Sequence, residues 1–131
     1  MSADRAILVV EDDPVTRRTF RDILVAEGYA VEVAVGAESG LAAIAVSPPA
    51  AVLLDLRLPL ADGLEFLRRL RAVPANTAIP VAVVTGDYLI DEHLANAINA
   101  HGARICFKPL WQDDLIEVVA RLLSHAQAAL C

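Results

Sequence analysis

The sequence AVLLDLRLPLADG, residues 51–63, joins a short apolar run to a carboxylate at its end. Asp55 closes the run, Pro59 follows four residues later, and Asp62 and Gly63 are turn residues. An apolar run without polar alternation is typical of a strand covered on both faces, as in a parallel sheet. The stretch therefore predicts a buried strand that presents one aspartate at its carboxyl end.

Four more short apolar runs lie along the chain, at residues 6–10, 30–35, 79–86 and 103–107. Segments with helical spacing separate the runs. This alternation indicates βαβ units, and continuous apolar strands indicate helices on both faces of the sheet. We therefore predict an α/β fold with a doubly wound parallel sheet, in a single domain that spans residues 1–131.

Local signals predict where the helices begin and end. Asp13 before Pro14 is typical of an N-cap followed by proline at the first helical position, and Gly28 is a helix stop. We interpret Asp13 as this cap rather than as a metal ligand. Asp62 and Glu65 resemble a capping box. The last helix has an apolar stripe at helical spacing, formed by Trp111, Leu115, Val118, Val119 and Leu122.

Composition excludes several classes of protein. The 131 residues carry a net charge of −6, which disfavours direct nucleic-acid binding. No apolar stretch approaches the roughly 20 residues that span a membrane, and the first residues lack a secretory pattern. We therefore expect no membrane insertion. Cys106 and Cys131 do not resemble a disulfide framework, so we expect a reducing cytoplasm.

Chemically reactive side chains collect where the predicted strands end. Glu11 and Asp12 follow the first strand, Asp55 ends the third, and Thr85 and Lys108 end the fourth and fifth. Ligands of doubly wound sheets bind beyond these carboxyl ends. Crowded acids need a cation to stay ionised, and oxygen ligands without a His or Cys cluster favour Mg²⁺. A lone aspartate beside a metal, a lysine and a hydroxyl predicts a nucleophile for phosphoryl transfer.

The segments ILVVEDDP, LLDLRLP with the following ADG, VTG and FKPL, in this order and spacing, resemble the receiver domain of two-component response regulators. The resemblance covers essentially the whole chain. It implies a CheY-like, flavodoxin-like fold with strand order 2-1-3-4-5 and five flanking helices. The chain resembles the stand-alone, single-domain type of this family.

The resemblance also implies roles at a magnesium site. Asp55 would accept a phosphoryl group from a histidine kinase. Asp12 would bind Mg²⁺ directly, Glu11 would act through water, and the backbone carbonyl of Arg57 would be a further ligand. The family's cofactor, Mg²⁺, is the one that the acids alone predict.

A second set of implied roles concerns signalling. Thr85 and Lys108 would bind the phosphoryl oxygens and couple phosphorylation to a shift of the fourth helix, and Pro109 would follow a cis peptide bond. The family often has an aromatic residue where this chain has Ile105, so the usual coupled rotation is not expected here. We interpret Phe107, on the same strand, as a core residue.

Two side chains flank the predicted site, Arg57 two residues after the phosphoacceptor and Asp87 two residues after Thr85. They either pair across the mouth of the site or stay solvated and independent, and Arg57 alternatively contacts the phosphoryl group. In the paired and contacting arrangements, Arg57→Ala would shorten the lifetime of the phosphorylated state.

The function predicted from these residues is that of a phosphorelay receiver. Its partners would be a histidine kinase or histidine phosphotransfer protein and a separate downstream protein, with a weak homodimer left open. It would catalyse its own phosphorylation and slow hydrolysis without being a conventional enzyme. The alternative is a pseudo-receiver that only binds partners. Trp111 is interpreted as packing over the sheet edge, with a partner-contact role as the alternative.

Overall fold

The computed structural model describes residues 5–56, 63–86, 91–108 and 110–124. Strands and helices alternate along the chain, with a short 3₁₀ turn at Pro74–Asn76. The elements in chain order are β1 (Ile7–Val10), α1 (Pro14–Ala26), β2 (Val31–Ala34), α2 (Ala37–Val46), β3 (Ala51–Asp55), α3 (Gly63–Ala72), β4 (Val81–Thr85), α4 (Glu92–Ala100), β5 (Ala103–Phe107) and α5 (Gln112–Leu123).

The sheet has the order β2-β1-β3-β4-β5, and every neighbouring pair is parallel. This confirms the predicted fold class and strand order. β1, β3 and β4 are interior strands, and their residues from Ile7 to Val10, Ala51 to Asp55 and Val81 to Thr85 are all buried. Continuous apolar runs therefore arise because helices cover both faces of the sheet.

Alternate strand residues point to two separate core layers. Leu8, Val10 and Leu54 belong to one layer, and the helices α2, α3 and α4 cover it. Val9 and Leu53 belong to the other, which α1 and α5 cover. The buried helical side chains of the two layers include Ile44, Phe66, Leu67, Leu70 and Ile98 on the first and Phe20, Leu24, Leu115 and Val119 on the second.

The helix boundaries of α1 follow the local sequence. The Asp13 side chain accepts a hydrogen bond from the backbone N–H of Thr16 at 2.8 Å, and Pro14 begins the helix. Gly28 follows the helix with φ of 105°, a conformation that favours glycine. Both boundary predictions are confirmed, whereas the predicted capping box at Asp62 lies outside the described residues.

Two aromatic side chains differ from prediction. Phe107 is 39% exposed rather than part of the core, because β5 is an edge strand with a neighbour on one side only. Trp111 is the N-cap of α5 and is 71% exposed, so it does not pack over the sheet. The buried stripe of α5 begins at Leu115, one turn later.

The prediction for the cysteines is also wrong. Cys106 is fully buried in β5 and is disulfide-bonded. The other cysteine of the chain, Cys131, lies outside the described residues. A disulfide-bonded Cys106 gives no support to the expected reducing compartment.

Among the described residues, no helix has the length and apolar character needed to cross a lipid bilayer.

Candidate functional site

The parallel register brings the predicted site residues to one edge of the sheet. Val10 is the partner of Leu54, so Glu11 and Asp55 are the next residues along neighbouring strands. Asp55 is in turn the partner of Val84, which places Thr85 one step beyond it on β4. Interior strands hold these positions rigidly because their backbone is hydrogen-bonded on both sides.

Three carboxylates meet at this edge. One ligand oxygen from each of Glu11, Asp12 and Asp55 lies within 4.8 Å of the others. Glu11 is 3% and Asp55 8% exposed, whereas Asp12 is exposed. An all-oxygen donor set of this kind fits a hard divalent cation, and three close negative charges repel one another without one.

Lys108 reaches this acid cluster from the far end of the chain. Its Nζ lies 3.0 Å from Glu11 Oε1, and the pair is 97 residues apart in sequence. The backbone N–H of Lys108 donates to the carbonyl of Thr85 at 2.7 Å, which ties the ends of β5 and β4 together. The ammonium is therefore the positive group that faces the buried Glu11 carboxylate.

Both carboxylate oxygens of Glu11 have a donor. Lys108 binds Oε1, and the backbone N–H of Asp13 donates to Oε2 at 3.1 Å. Charge-assisted hydrogen bonds of this kind hold a carboxylate in one orientation. Direct coordination by Glu11 would compete with these two bonds, whereas contact through a water molecule would not.

Asp13 is occupied in a different way. Its side chain accepts from the backbone N–H of Thr16 and from the Thr16 hydroxyl at 2.6 Å. These two hydrogen bonds lower the pKa of Asp13 from its usual value, because they stabilise the charged carboxylate. The interpretation of Asp13 as a helix cap is confirmed.

Gly63 positions the start of α3 against the end of β3. Its backbone N–H donates to the carbonyl of Leu56 at 2.7 Å. A Cβ at position 63 would lie 2.9 Å from the Leu56 Cα, which is too close for any side chain. α3 can begin this close to the end of β3 only because residue 63 is glycine.

Sequence reasoning missed Arg17, which donates from Nη1 to the backbone carbonyls of Glu11 and Asp12. An arginine in the second turn of a helix is usually a solvated surface residue, so the pattern of residue types gave no reason to select it. Its position four residues after the cap residue Asp13 was the only signal.

Comparison with known proteins identifies the family. The model of the response regulator receiver domain matches residues 7–120. The chain belongs to the response regulator receiver domain family. Response regulator MprA of Mycolicibacterium vanbaalenii is 35% identical to this receiver domain over 117 residues, which cover 89% of this chain and 49% of that protein. The receiver domain thus spans about half the length of the curated relatives that it matches.

Solved structures agree with this membership. A CheY-like receiver domain protein from Methanospirillum hungatei is 30% identical, has a TM-score of 0.84, and the match covers 92% of this chain and 94% of that one. The receiver domain of NtrX from Brucella abortus is 33% identical with a TM-score of 0.81, over 92% of this chain and 99% of that one.

The remaining predicted positions divide into two groups. Ile105 is half-buried and packs against the core layer formed with α2, α3 and α4. It is therefore a packed aliphatic side chain in this receiver domain, as expected for a position without an aromatic ring. Arg57, Asp87 and Pro109 lie outside the described residues, so the expectations for them remain predictions.

Proposed function

We propose that this receiver domain accepts a phosphoryl group on Asp55 from a phosphohistidine, with Mg²⁺ as cofactor. The donor would be a histidine kinase or a histidine phosphotransfer protein, and a separate protein would respond to the phosphorylated state. One observation carries the proposal: the carboxylates of Glu11, Asp12 and Asp55 lie within 4.8 Å of one another, with the Lys108 ammonium bound to Glu11.

A carboxylate oxygen of Asp55 would attack phosphorus, the bond between phosphorus and the imidazole nitrogen would break, and the imidazole would leave with the electron pair and a proton taken up from solvent. Hydrolysis later returns the carboxylate and inorganic phosphate. The domain would thus act on itself and would not be a conventional enzyme. We expect the exchange to take place in the cytoplasm, where phosphohistidine is made from ATP.

The surrounding residues have distinct roles in this proposal. Glu11, Asp12 and Asp55 would hold Mg²⁺, which when bound neutralises the acids and the incoming phosphoryl oxygens. The Thr85 hydroxyl would donate to a phosphoryl oxygen. The Lys108 ammonium would exchange its contact with Glu11 for one with the phosphoryl group, where it acts as a point charge.

A direct test uses acetyl phosphate as the donor and intact mass as the readout. Wild type with Mg²⁺ should gain one phosphoryl group, and neither wild type with EDTA nor Asp55→Asn should gain it. Asp113→Asn is the matched control, because it removes an exposed aspartate from the first turn of α5 and should be phosphorylated like wild type.

The outcomes separate the two functions that the sequence left open. An Asp55→Asn protein that gained the same mass would show that Asp55 is not the acceptor. A folded wild type that gained no phosphate with Mg²⁺ would favour the pseudo-receiver, which only binds partners.

A further inference from the structure

The loop between β1 and α1 carries two acids of the candidate metal site, and a side chain from the helix reaches back to it. Arg17 Nη1 lies 3.0 Å from the carbonyl oxygen of Glu11 and 3.2 Å from that of Asp12. The arginine is half-buried.

We infer that Arg17 is a positioning residue for the metal-binding acids, which holds the peptide groups of Glu11 and Asp12 so that their carboxylates stay together. This inference rests on the proposed magnesium-dependent function. A carbonyl and the side chain of the same residue branch from one Cα, so fixing the peptide plane restricts where the carboxylate can point. Groups that orient metal ligands in this way strongly affect metal affinity.

Binding to carbonyls rather than to carboxylates is central to the inference. An arginine paired with the acids themselves would occupy the oxygens that a cation needs. Arg17 instead satisfies the main chain and leaves the carboxylate oxygens of Asp12 to the cation. The guanidinium suits this contact because its donors are rigidly arranged and its charge is permanent.

The charge of Arg17 and its positioning role predict opposite effects on Mg²⁺ affinity. Removing a positive charge near three carboxylates would, by Coulomb's law alone, tighten the binding of a cation. Losing the two hydrogen bonds to the loop would weaken binding, because the acids would have to be ordered when the cation binds. The direction of change in Arg17→Ala therefore decides between the two.

The same helix supplies a matched control. Arg17, Arg18 and Arg21 line one surface cleft with Pro14 and Val33. Arg18 is exposed, and the hydrogen bonds to the Glu11 and Asp12 carbonyls come from Arg17 and not from Arg18, so Arg18→Ala removes the same charge from the same surface. It should leave the Mg²⁺ dissociation constant unchanged or slightly lower.

The experiment measures the Mg²⁺ dissociation constant by calorimetry on the whole chain, at a temperature where circular dichroism shows each variant to be folded. Arg17→Ala should raise the constant about tenfold. The phosphorylation rate at saturating Mg²⁺ should change much less, because the cation itself then orders the loop. Arg17→Lys keeps the charge but lacks the planar fork, so its affinity should fall between those of wild type and Arg17→Ala.

Amide exchange gives a second readout that does not depend on phosphorylation. The backbone N–H of Asp13 donates to Glu11 within the same loop, so its exchange should be faster in Arg17→Ala and unchanged in Arg18→Ala. Equal exchange in wild type and Arg17→Ala would overturn the inference.

The remaining outcomes distinguish the inference from the proposed function. If wild type binds Mg²⁺ and Arg17→Ala binds it as tightly or more tightly, the inference is wrong and the proposed function stands. If wild type binds Mg²⁺ but gains no phosphate, the proposed function is wrong and the inference is decided by the affinities alone. A wild type that binds no Mg²⁺ overturns both.

Discussion

An arginine at each edge of the sheet donates to two backbone carbonyls. At the carboxyl edge, Arg17 binds the carbonyls of Glu11 and Asp12. At the amino edge, before β4 and β5, Arg71 donates from Nη1 to the carbonyl of Asn76 at 2.9 Å and from Nε to that of His101 at 2.8 Å. Each arginine is half-buried, so each joins its helix to loops that precede or follow the strands.

The surroundings of the two arginines differ. Arg17 lies beside three close carboxylates, whereas Arg71 has no carboxylate within ion-pair distance among the residues that the structure describes. Burial lowers the pKa of Arg71 from its usual value. The comparison teaches that the same kind of contact serves two purposes. At the amino edge, Arg71 stabilises two loops that contain no carboxylate paired with it. At the carboxyl edge, Arg17 holds the loop that carries two of the three close carboxylates. The candidate site lies at the carboxyl edge, where negative charges are in excess.

The largest loss of stability should come from removing the ammonium group of the Lys108–Glu11 ion pair at the carboxyl edge. Lys108→Met leaves Glu11, which is 3% exposed, without its ammonium. We expect the free energy of unfolding in EDTA to fall by about 3 kcal/mol, because breaking a buried pair leaves an uncompensated charge. Chemical denaturation measures this change.

A double variant provides the control for this prediction. Replacing both charges, as Glu11→Gln with Lys108→Met, should recover most of the lost stability, since no buried Glu11 carboxylate then lacks its ammonium partner. If the double variant were as unstable as Lys108→Met alone, the ion pair would not be the cause.

At the amino edge, Arg71→Met should reduce the free energy of unfolding by about 2 kcal/mol, because two main-chain carbonyls lose a charged donor. The Mg²⁺ dissociation constant should not change, since Arg71 lies at the other edge of the sheet. Arg121→Met is the control: Arg121 pairs with Glu117 on the surface of α5 and should cost no more than about 0.5 kcal/mol. If Arg71→Met lowered the Mg²⁺ affinity as much as is expected for Arg17→Ala, the two edges would not act independently.

Reducing the crowding of charge should have a smaller, opposite effect on stability. Asp12→Asn removes one of three repelling carboxylates, so the free energy of unfolding in EDTA should rise by about 1 kcal/mol. Added Mg²⁺ should stabilise wild type but not Asp12→Asn, because binding to the folded state stabilises by mass action. Thermal unfolding with and without Mg²⁺ tests both statements, and equal stabilisation of the two proteins would remove Asp12 from the ligand set.

The smallest effect should come from a surface pair away from both edges. Arg69 on α3 binds Glu38 on α2, and this hydrogen bond lowers the pKa of Glu38 below its usual 4.5. Because the folded pKa is the lower one, the pair stabilises the protein above pH 4.5 and loses its effect as the pH falls through the lowered value. The difference in the free energy of unfolding between wild type and Glu38→Gln should therefore be constant above pH 4.5 and shrink below pH 4.5. A difference that did not vary with pH, or that was insensitive to salt, would contradict an ionic origin.

The sequence by itself determined the fold and the edge where the candidate site lies. Continuous apolar runs at helix-length spacing require a parallel sheet covered on both faces, and the carboxyl ends of parallel strands necessarily share one edge. The strand-end positions of Glu11, Asp55 and Thr85 therefore sufficed to bring them together. The cap at Asp13 was equally predictable, since it depends on residues four positions apart at most.

Only the tertiary structure decided which partners the long side chains take and which aromatic residues are exposed. Lys108 binds Glu11, which is 97 residues away in sequence. Arg17 and Arg71 donate to backbone carbonyls rather than to carboxylates. Periodicity could not reveal that Phe107 lies on an edge strand, nor that Trp111 precedes the first turn of α5 and so falls off its buried stripe. The physical reason is that periodicity reports the regular backbone, whereas flexible side chains and element ends are placed by neighbours that are distant in sequence.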